Sequence, residues 1–177
     1  MNKKLGLYSI IVNTLALFVL AVSSLLQAGL IAGIAHIVFA LSFVPVSAIY
    51  SMYGRKGLRV ASDAGKLFAG MYATVGLAVI VFSFAELPPE NDILLGFNLL
   101  VNGLLSLATL FLSLALKART TAEKMLKWML LLHGVIAIPS AFLINNFPFG
   151  LLLLELWCLY FIAINMLAYR YFSGQRG

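Results

Sequence analysis

Charge is scarce in this chain of 177 residues: only 10% are Asp, Glu, Lys or Arg, where a soluble domain carries about a quarter. No polar stretch is long enough to make a separate water-soluble unit, so residues 1–177 read as a single membrane domain. Cysteine is scarcer still. Cys158 stands alone in an apolar run, which excludes an internal disulfide and any thiol relay that needs a pair. Missing too are the His-Glu-x-x-His zinc motif, a buried aspartate pair, the Gly-x-Ser-x-Gly nucleophile elbow and a glycine-rich phosphate loop. An enzyme is therefore the lesser expectation. If there were one, it would be an unfamiliar lipid-modifying activity with His36 or Glu155 as base. The sequence shows no internal repeat and no low-complexity segment.

Apolar residues fill the space that charge leaves: 63% of the chain is hydrophobic and mean hydropathy is +1.04. They form six stretches, at about 7–26, 28–50, 67–85, 93–116, 125–144 and 149–169. At 1.5 Å per helical residue each can cross a hydrocarbon core of roughly 30 Å. The expected fold is an all-α integral membrane protein, a six-transmembrane-helix bundle. The first stretch reads as a span, because its length exceeds the 7–15 apolar residues typical of a signal peptide. No charge separates it from the second. One helix from Leu7 to Tyr50 would run about 66 Å, twice the bilayer, so the chain should turn near Gln27–Gly29. Gly54 to Lys66 reads as a loop, with Ser62 or Asp63 capping the third helix. Thr120-Thr-Ala-Glu123 has the form of a capping box that starts the fifth near Thr121. Pro45 and Pro139 fall inside helices two and five and should bend them.

With six spans, all 12 Lys and Arg residues fall on one side, and Glu86, Glu90 and Asp92 lie on the other. This is the positive-inside distribution, which places both termini in the cytoplasm and the protein in the cell membrane. It accounts for the net charge of +6 without nucleic acid. The partner the basic flanks imply is the lipid bilayer and its anionic head groups.

Polar residues inside the spans carry the functional expectation. In the fourth, Asn98, Asn102, Ser106, Thr109 and Ser113 share an arc of roughly 80°. That stripe should face the bundle interior, leaving Leu99, Leu104 and Phe111 toward lipid. In the first, Ser9, Asn13, Ser24 and Gln27 share a face, and Gly29-x-x-x-Gly33 offers the second a site of close helix contact. Glu155 is the one acidic residue within a span. Burying a carboxylate there costs roughly 2.5–3.5 kcal/mol, so such a residue faces a partner or water. By helical rise Glu155 lies about 10 Å from the outer boundary, His36 about 12 Å, and Asn98 and Asn102 roughly 8 and 14 Å. These four form the candidate ligand-binding layer, with His36 or Asn98 the expected neighbour of Glu155.

The leading expectation is a protein that binds or translocates a small solute at a polar site in the outer half of the bundle. The runner-up is a structural or regulatory membrane subunit, packed against a partner or a second copy of itself. A bis-histidine haem held by His36 and His133 is a further alternative, and a metal held by His36, His133 and Glu155 another; otherwise no cofactor is expected. Tyr53, Trp128, Tyr169 and Tyr171 read as interfacial anchors. The span arrangement, with an arginine-bearing helix end and Leu154-Glu155-Leu156 in the last span, resembles a bacterial family of six-span proteins. That resemblance implies the fold class and transfers no functional residue.

Overall fold

Six helices follow one another with short connections in the computed structural model, which describes residues 3–53, 59–84, 91–146 and 150–174. Side chains are described for these residues other than 79, 81–84, 91–95, 97, 98 and 140–146. The helices are α1 (Lys3–Leu25), α2 (Gly29–Tyr53), α3 (Arg59–Phe84), α4 (Asn91–Ala115), α5 (Thr121–Asn146) and α6 (Gly150–Ser173). Each packs against its neighbours in sequence, α6 returns to pack on α1, and α2 touches α4 across the ring so formed. Among the described residues, α1, α2 and α6 are long and apolar enough to cross a membrane.

The turn expected at Gln27–Gly29 is present, and its chemistry explains where α1 stops. Gln27 adopts a left-handed conformation (φ 53°). Its N–H donates to the Ser24 carbonyl at 3.1 Å, and that of Ala28 to the Ser23 carbonyl at 2.8 Å. This pair is a Schellman cap, which satisfies carbonyls that the helix end would otherwise leave open. The hairpin of α1 and α2 then closes around Gly6, where a Cβ would come within 2.8 Å of Ile49.

α3 begins at Arg59, eight residues before the apolar stretch, so the expected loop to Lys66 and a cap at Ser62 or Asp63 are corrected. The reason is packing rather than hydropathy. Ser62 and Gly65 are buried, and a Cβ on Gly65 would meet Leu112 of α4 at 2.8 Å, while Asp63 pairs with Lys66 at 2.6 Å on the exposed side. A charged segment with one slim buried face is helical here because α4 is there to receive it.

The stripe on α4 turns inward as expected where its side chains are described: Ser106, Thr109 and Ser113 are buried. Leu104 does not face outward; it is 6% exposed, and Leu100, Leu107 and Leu114 form the exposed row instead. α4 is held on two flanks, by α5 along the stripe and by α3 on the other side, so its outward arc is narrow. Phe111 is half-buried and stacks on Phe68 of α3, centroids 5.6 Å apart and planes 9° from parallel.

α5 starts at Thr121, and the Thr120 hydroxyl accepts the Glu123 N–H at 3.2 Å, one half of the capping box. The other half departs from the pattern. The Glu123 carboxylate reaches past its cap to the amides of Lys117 (2.8 Å) and Arg119 (2.7 Å), across Ala118 in a left-handed conformation (φ 56°). Tyr171 of α6 also hydrogen-bonds to Glu123, so it serves as a clasp where an interfacial anchor was expected. Burial pushes the Glu123 carboxyl up, but the Arg119 and Lys117 amides and the Tyr171 hydroxyl together outweigh it and hold the group below the ordinary carboxylate range.

Candidate functional site

Two residues of the expected site, His36 and Glu155, lie near the starts of α2 and α6. His36, two turns into α2, brings Nε2 within 3.2 Å of the Tyr72 hydroxyl on α3. Tyr72 is 1% exposed, so its hydroxyl requires this partner. Phe39, one turn further along α2, is the hub below. Its ring meets His36, Tyr72, Trp157 and Phe161 edge to face, with centroids between 5.6 and 6.2 Å. Edge-to-face contacts at this distance are the favoured aromatic geometry, and they fix α2, α3 and α6 to one another.

Glu155 lies in the second turn of α6, one turn before the buried Cys158. The hydrogen bond of His36 goes to Tyr72 and not to Glu155. The Glu155 Oε1 is buried and has no hydrogen-bond partner among the described residues. Gly76, one turn beyond Tyr72 on α3, is buried, and a Cβ built there meets no heavy atom of the described residues within 4 Å. Of the two amides in the expected layer, Asn102 is half-buried on α4, and the Asn98 side chain lies outside the described residues.

His133 belongs to a different contact set. Trp157 donates its indole N–H to His133 Nε2 at 3.1 Å, and Nδ1 lies 2.9 Å from the Thr109 hydroxyl. An indole nitrogen can only donate. His133 Nε2 must therefore accept, so the ring is neutral with its proton on Nδ1. That proton goes to Thr109, whose own hydroxyl donates to the Leu105 or Ser106 carbonyl at 3.1 or 3.0 Å. Both ring nitrogens are thus used, and the Phe39, Phe161 and Trp157 rings connect the His133 site to His36. The pair does not fit a haem: iron would have to displace Trp157 from His133 and Tyr72 from His36. Nor do three acidic, histidine or cysteine side chains converge as a metal site among the described residues.

A buried polar lock lies elsewhere, and the sequence signalled only half of it. Asn13 of α1, fully buried, donates to the Phe39 carbonyl (2.9 Å) and the Ser42 hydroxyl (2.8 Å) of α2. Its own Oδ1 accepts from Asn165 of α6 at 2.8 Å. The inward face of α1 predicted Asn13; nothing in the spacing of α6 marks Asn165 as its partner. An open groove of about 270 Å³ runs between α1 and α6 beside this lock, lined by Ile10, Ile11, Thr14, Leu15, Asn165, Met166 and Tyr169. Its two short polar side chains are already engaged, Thr14 with the Ile10 carbonyl and Asn165 with Asn13. Glu155 and His36 lie outside it, and the surface the groove offers a ligand is mostly apolar. Comparison of the chain with known protein families, with curated proteins and with solved structures found no match in any of the three.

Proposed function

We propose that this chain is a six-span membrane protein with both termini in the cytoplasm, and that it binds or translocates a small solute at Glu155 in the outer half of the bundle. The observation that carries the reading is the buried Glu155 Oε1, which has no hydrogen-bond partner among the described residues. A carboxylate oxygen without a donor costs free energy, and an intramembrane acid kept in that condition is by default a functional group. The spanning arrangement draws support from α3, α4 and α5. At 26, 25 and 26 residues they match the three apolar helices and pack among them. Large apolar side chains are also exposed along several helices, including Phe18, Leu41, Leu107, Leu132 and Leu159, an outer face suited to lipid and not to water.

Two measurements test this. A cysteine at Pro89 is expected to react with an impermeant thiol reagent from outside the cell, and one at Ala118 only after permeabilisation. The reverse labelling would remove the topology and the depth of the site with it. Glu155→Gln is expected to leave expression and thermal midpoint nearly unchanged while abolishing solute binding or uptake. Retained binding in a folded Glu155→Gln protein would reduce Glu155 to a helix-positioning role.

One observation favours the runner-up, a structural or regulatory subunit. Gly29 is exposed, with nothing within 4 Å of a Cβ built on it, and Leu30, Ile31 and Ile34 beside it are exposed too. That slim apolar strip suits a partner helix or a second copy of the chain.

A further inference from the structure

We infer that the seam between α1 and α6 holds one anionic phospholipid, its phosphate at Arg170 and Lys4 and one acyl chain in the groove between the two helices. The inference needs the chain to lie in a bilayer, as proposed above, and needs nothing from Glu155. It starts from how the two helix ends meet. Lys3 Nζ, in the first turn of α1, donates to the Ser173 carbonyl at the end of α6 at 3.3 Å. Further in, Asn165 donates to Asn13 at 2.8 Å. The two helices therefore run antiparallel, and Lys3, Lys4 and Arg170 bring their charges to one end of the seam. Neither helix offsets them at that end, because residues 1–62 and 156–177 contain no Asp or Glu. Glu123 of α5, which meets Tyr171 of α6, is buried and taken up by the Lys117 and Arg119 amides.

The groove begins just below that charge. Its walls run from Ile10 to Leu15 on α1 and from Asn165 to Tyr169 on α6. By helical rise these lie about 10–18 Å in from Lys3 and about 6–12 Å in from Ser173. Ile11, Leu15, Met166 and Tyr169 are exposed, so the groove opens on the outer face of the bundle. At about 270 Å³ it is smaller than the roughly 300–1,000 Å³ that encloses a small molecule. An open apolar trough of that size suits one hydrocarbon chain lying along it. A glycerophospholipid has this layout, with a phosphate at the membrane boundary and chains directly below. The Arg170 guanidinium can donate to two phosphate oxygens at once. Lys4 shares an exposed face of α1 with Tyr8, Ile11 and Leu15, at spacings of four, three and four. Basic end and groove are thus one continuous strip. A neutral lipid would use only the groove, whereas an anionic one uses both.

The test uses the full-length protein in detergent, stripped of lipid, and two lipids with the same oleoyl chains, phosphatidylglycerol and phosphatidylcholine. Native mass spectrometry counts the bound lipid. One phosphatidylglycerol per chain is expected, held about tenfold more tightly than phosphatidylcholine. The double variant Lys4→Gln, Arg170→Gln should weaken phosphatidylglycerol about tenfold and leave phosphatidylcholine unchanged. Ile11→Trp, which fills the groove, should weaken both lipids. The double variant Arg119→Gln, Lys124→Gln removes the same two charges at the start of α5 and should change neither. Every substituted position is exposed. Equal binding of the two lipids, or equal losses in the two double variants, means diffuse attraction to a basic membrane face and overturns the inference. Phosphatidylglycerol binding indifferent to Ile11→Trp also overturns it, because the groove is then unused. A second readout needs no variant: phosphatidylglycerol should raise the wild-type thermal midpoint more than phosphatidylcholine does, and equal shifts count against the site. Glu155→Gln should bind phosphatidylglycerol as the wild type does, which keeps a failure of the solute site apart from a failure of this one.

Discussion

Replacing Glu123 by alanine is expected to lower the thermal midpoint of the detergent-solubilised protein by roughly 5–15 °C. Three donors converge on this carboxylate, the Lys117 and Arg119 amides and the Tyr171 hydroxyl. Hydrogen bonds to a charged group contribute roughly 1.5–3 kcal/mol each, but water takes over at the freed amides and hydroxyl once the carboxylate is removed, so a net loss of about 2–4 kcal/mol is expected. For a chain of this size each kcal/mol is worth about 2–4 °C. Glu123→Gln retains an acceptor and should fall between. The same clasp has a pH signature. The folded protein holds the Glu123 carboxyl below its ordinary value of 4.5. The unfolded state therefore takes up its proton first as pH falls. The clasp's contribution is complete above the ordinary value and is lost as pH drops through the lowered one. Midpoints measured across acid pH should show the wild type losing stability over that window more steeply than Glu123→Ala. Parallel curves would remove the clasp as the cause.

Gly134→Val is expected to separate α4 from α5. A Cβ at Gly134 would lie 3.0 Å from the Leu110 Cβ, and 3.1 and 3.2 Å from its N and Cα. Two of these three atoms are backbone, which cannot swing aside as a side chain can. The shift would pull the Gly134 carbonyl from the Ser106 hydroxyl that donates to it, and His133 from Thr109. Overpacking alone costs about 1–3 kcal/mol, and each lost hydrogen bond adds about 1 kcal/mol. A midpoint drop of roughly 5–15 °C is expected, together with a shift in Trp157 emission as its bond to His133 changes. Gly70→Ala is the control. There a Cβ meets nothing within 4 Å, and the better helix propensity should leave stability equal or slightly raised. A Gly134→Val protein as stable as wild type would show that the close approach of α4 and α5 is not required.

What could be read in advance follows the range of the interaction that decides it. Apolar runs and local caps located the six helices: the turn at Gln27, the start of α5 at Thr121 and the inward course of Ser106, Thr109 and Ser113 all depend on neighbours within a turn or two. Arg59–Lys66 escaped because hydropathy finds segments suited to hydrocarbon, and this one is helical for its fit against Leu112. Leu104 escaped because a single stripe cannot show how many helices will flank α4. In the candidate site, Glu155 and His36 were marked by their cost in an apolar run. Tyr72, which holds His36, and Trp157, which fixes the proton on His133, look like ordinary aromatic residues until the helices are placed side by side.

The bond between Asn165 and Asn13 joins residues that leave the ribosome far apart in time. At roughly 5–20 residues per second, the 152 positions between them take about 8–30 s to synthesise. Until α6 arrives, the Asn13 oxygen lacks its final partner and the side of α1 that α6 covers remains bare. Shorter range contacts can assemble α1 with α2, and α4 with α5, as each pair emerges. Closing the ring then comes last, because it needs α6 in place against α1. Chains stalled before Gly150 carry an incomplete seam on their first helix, because the Asn165 amide that completes it has not been made.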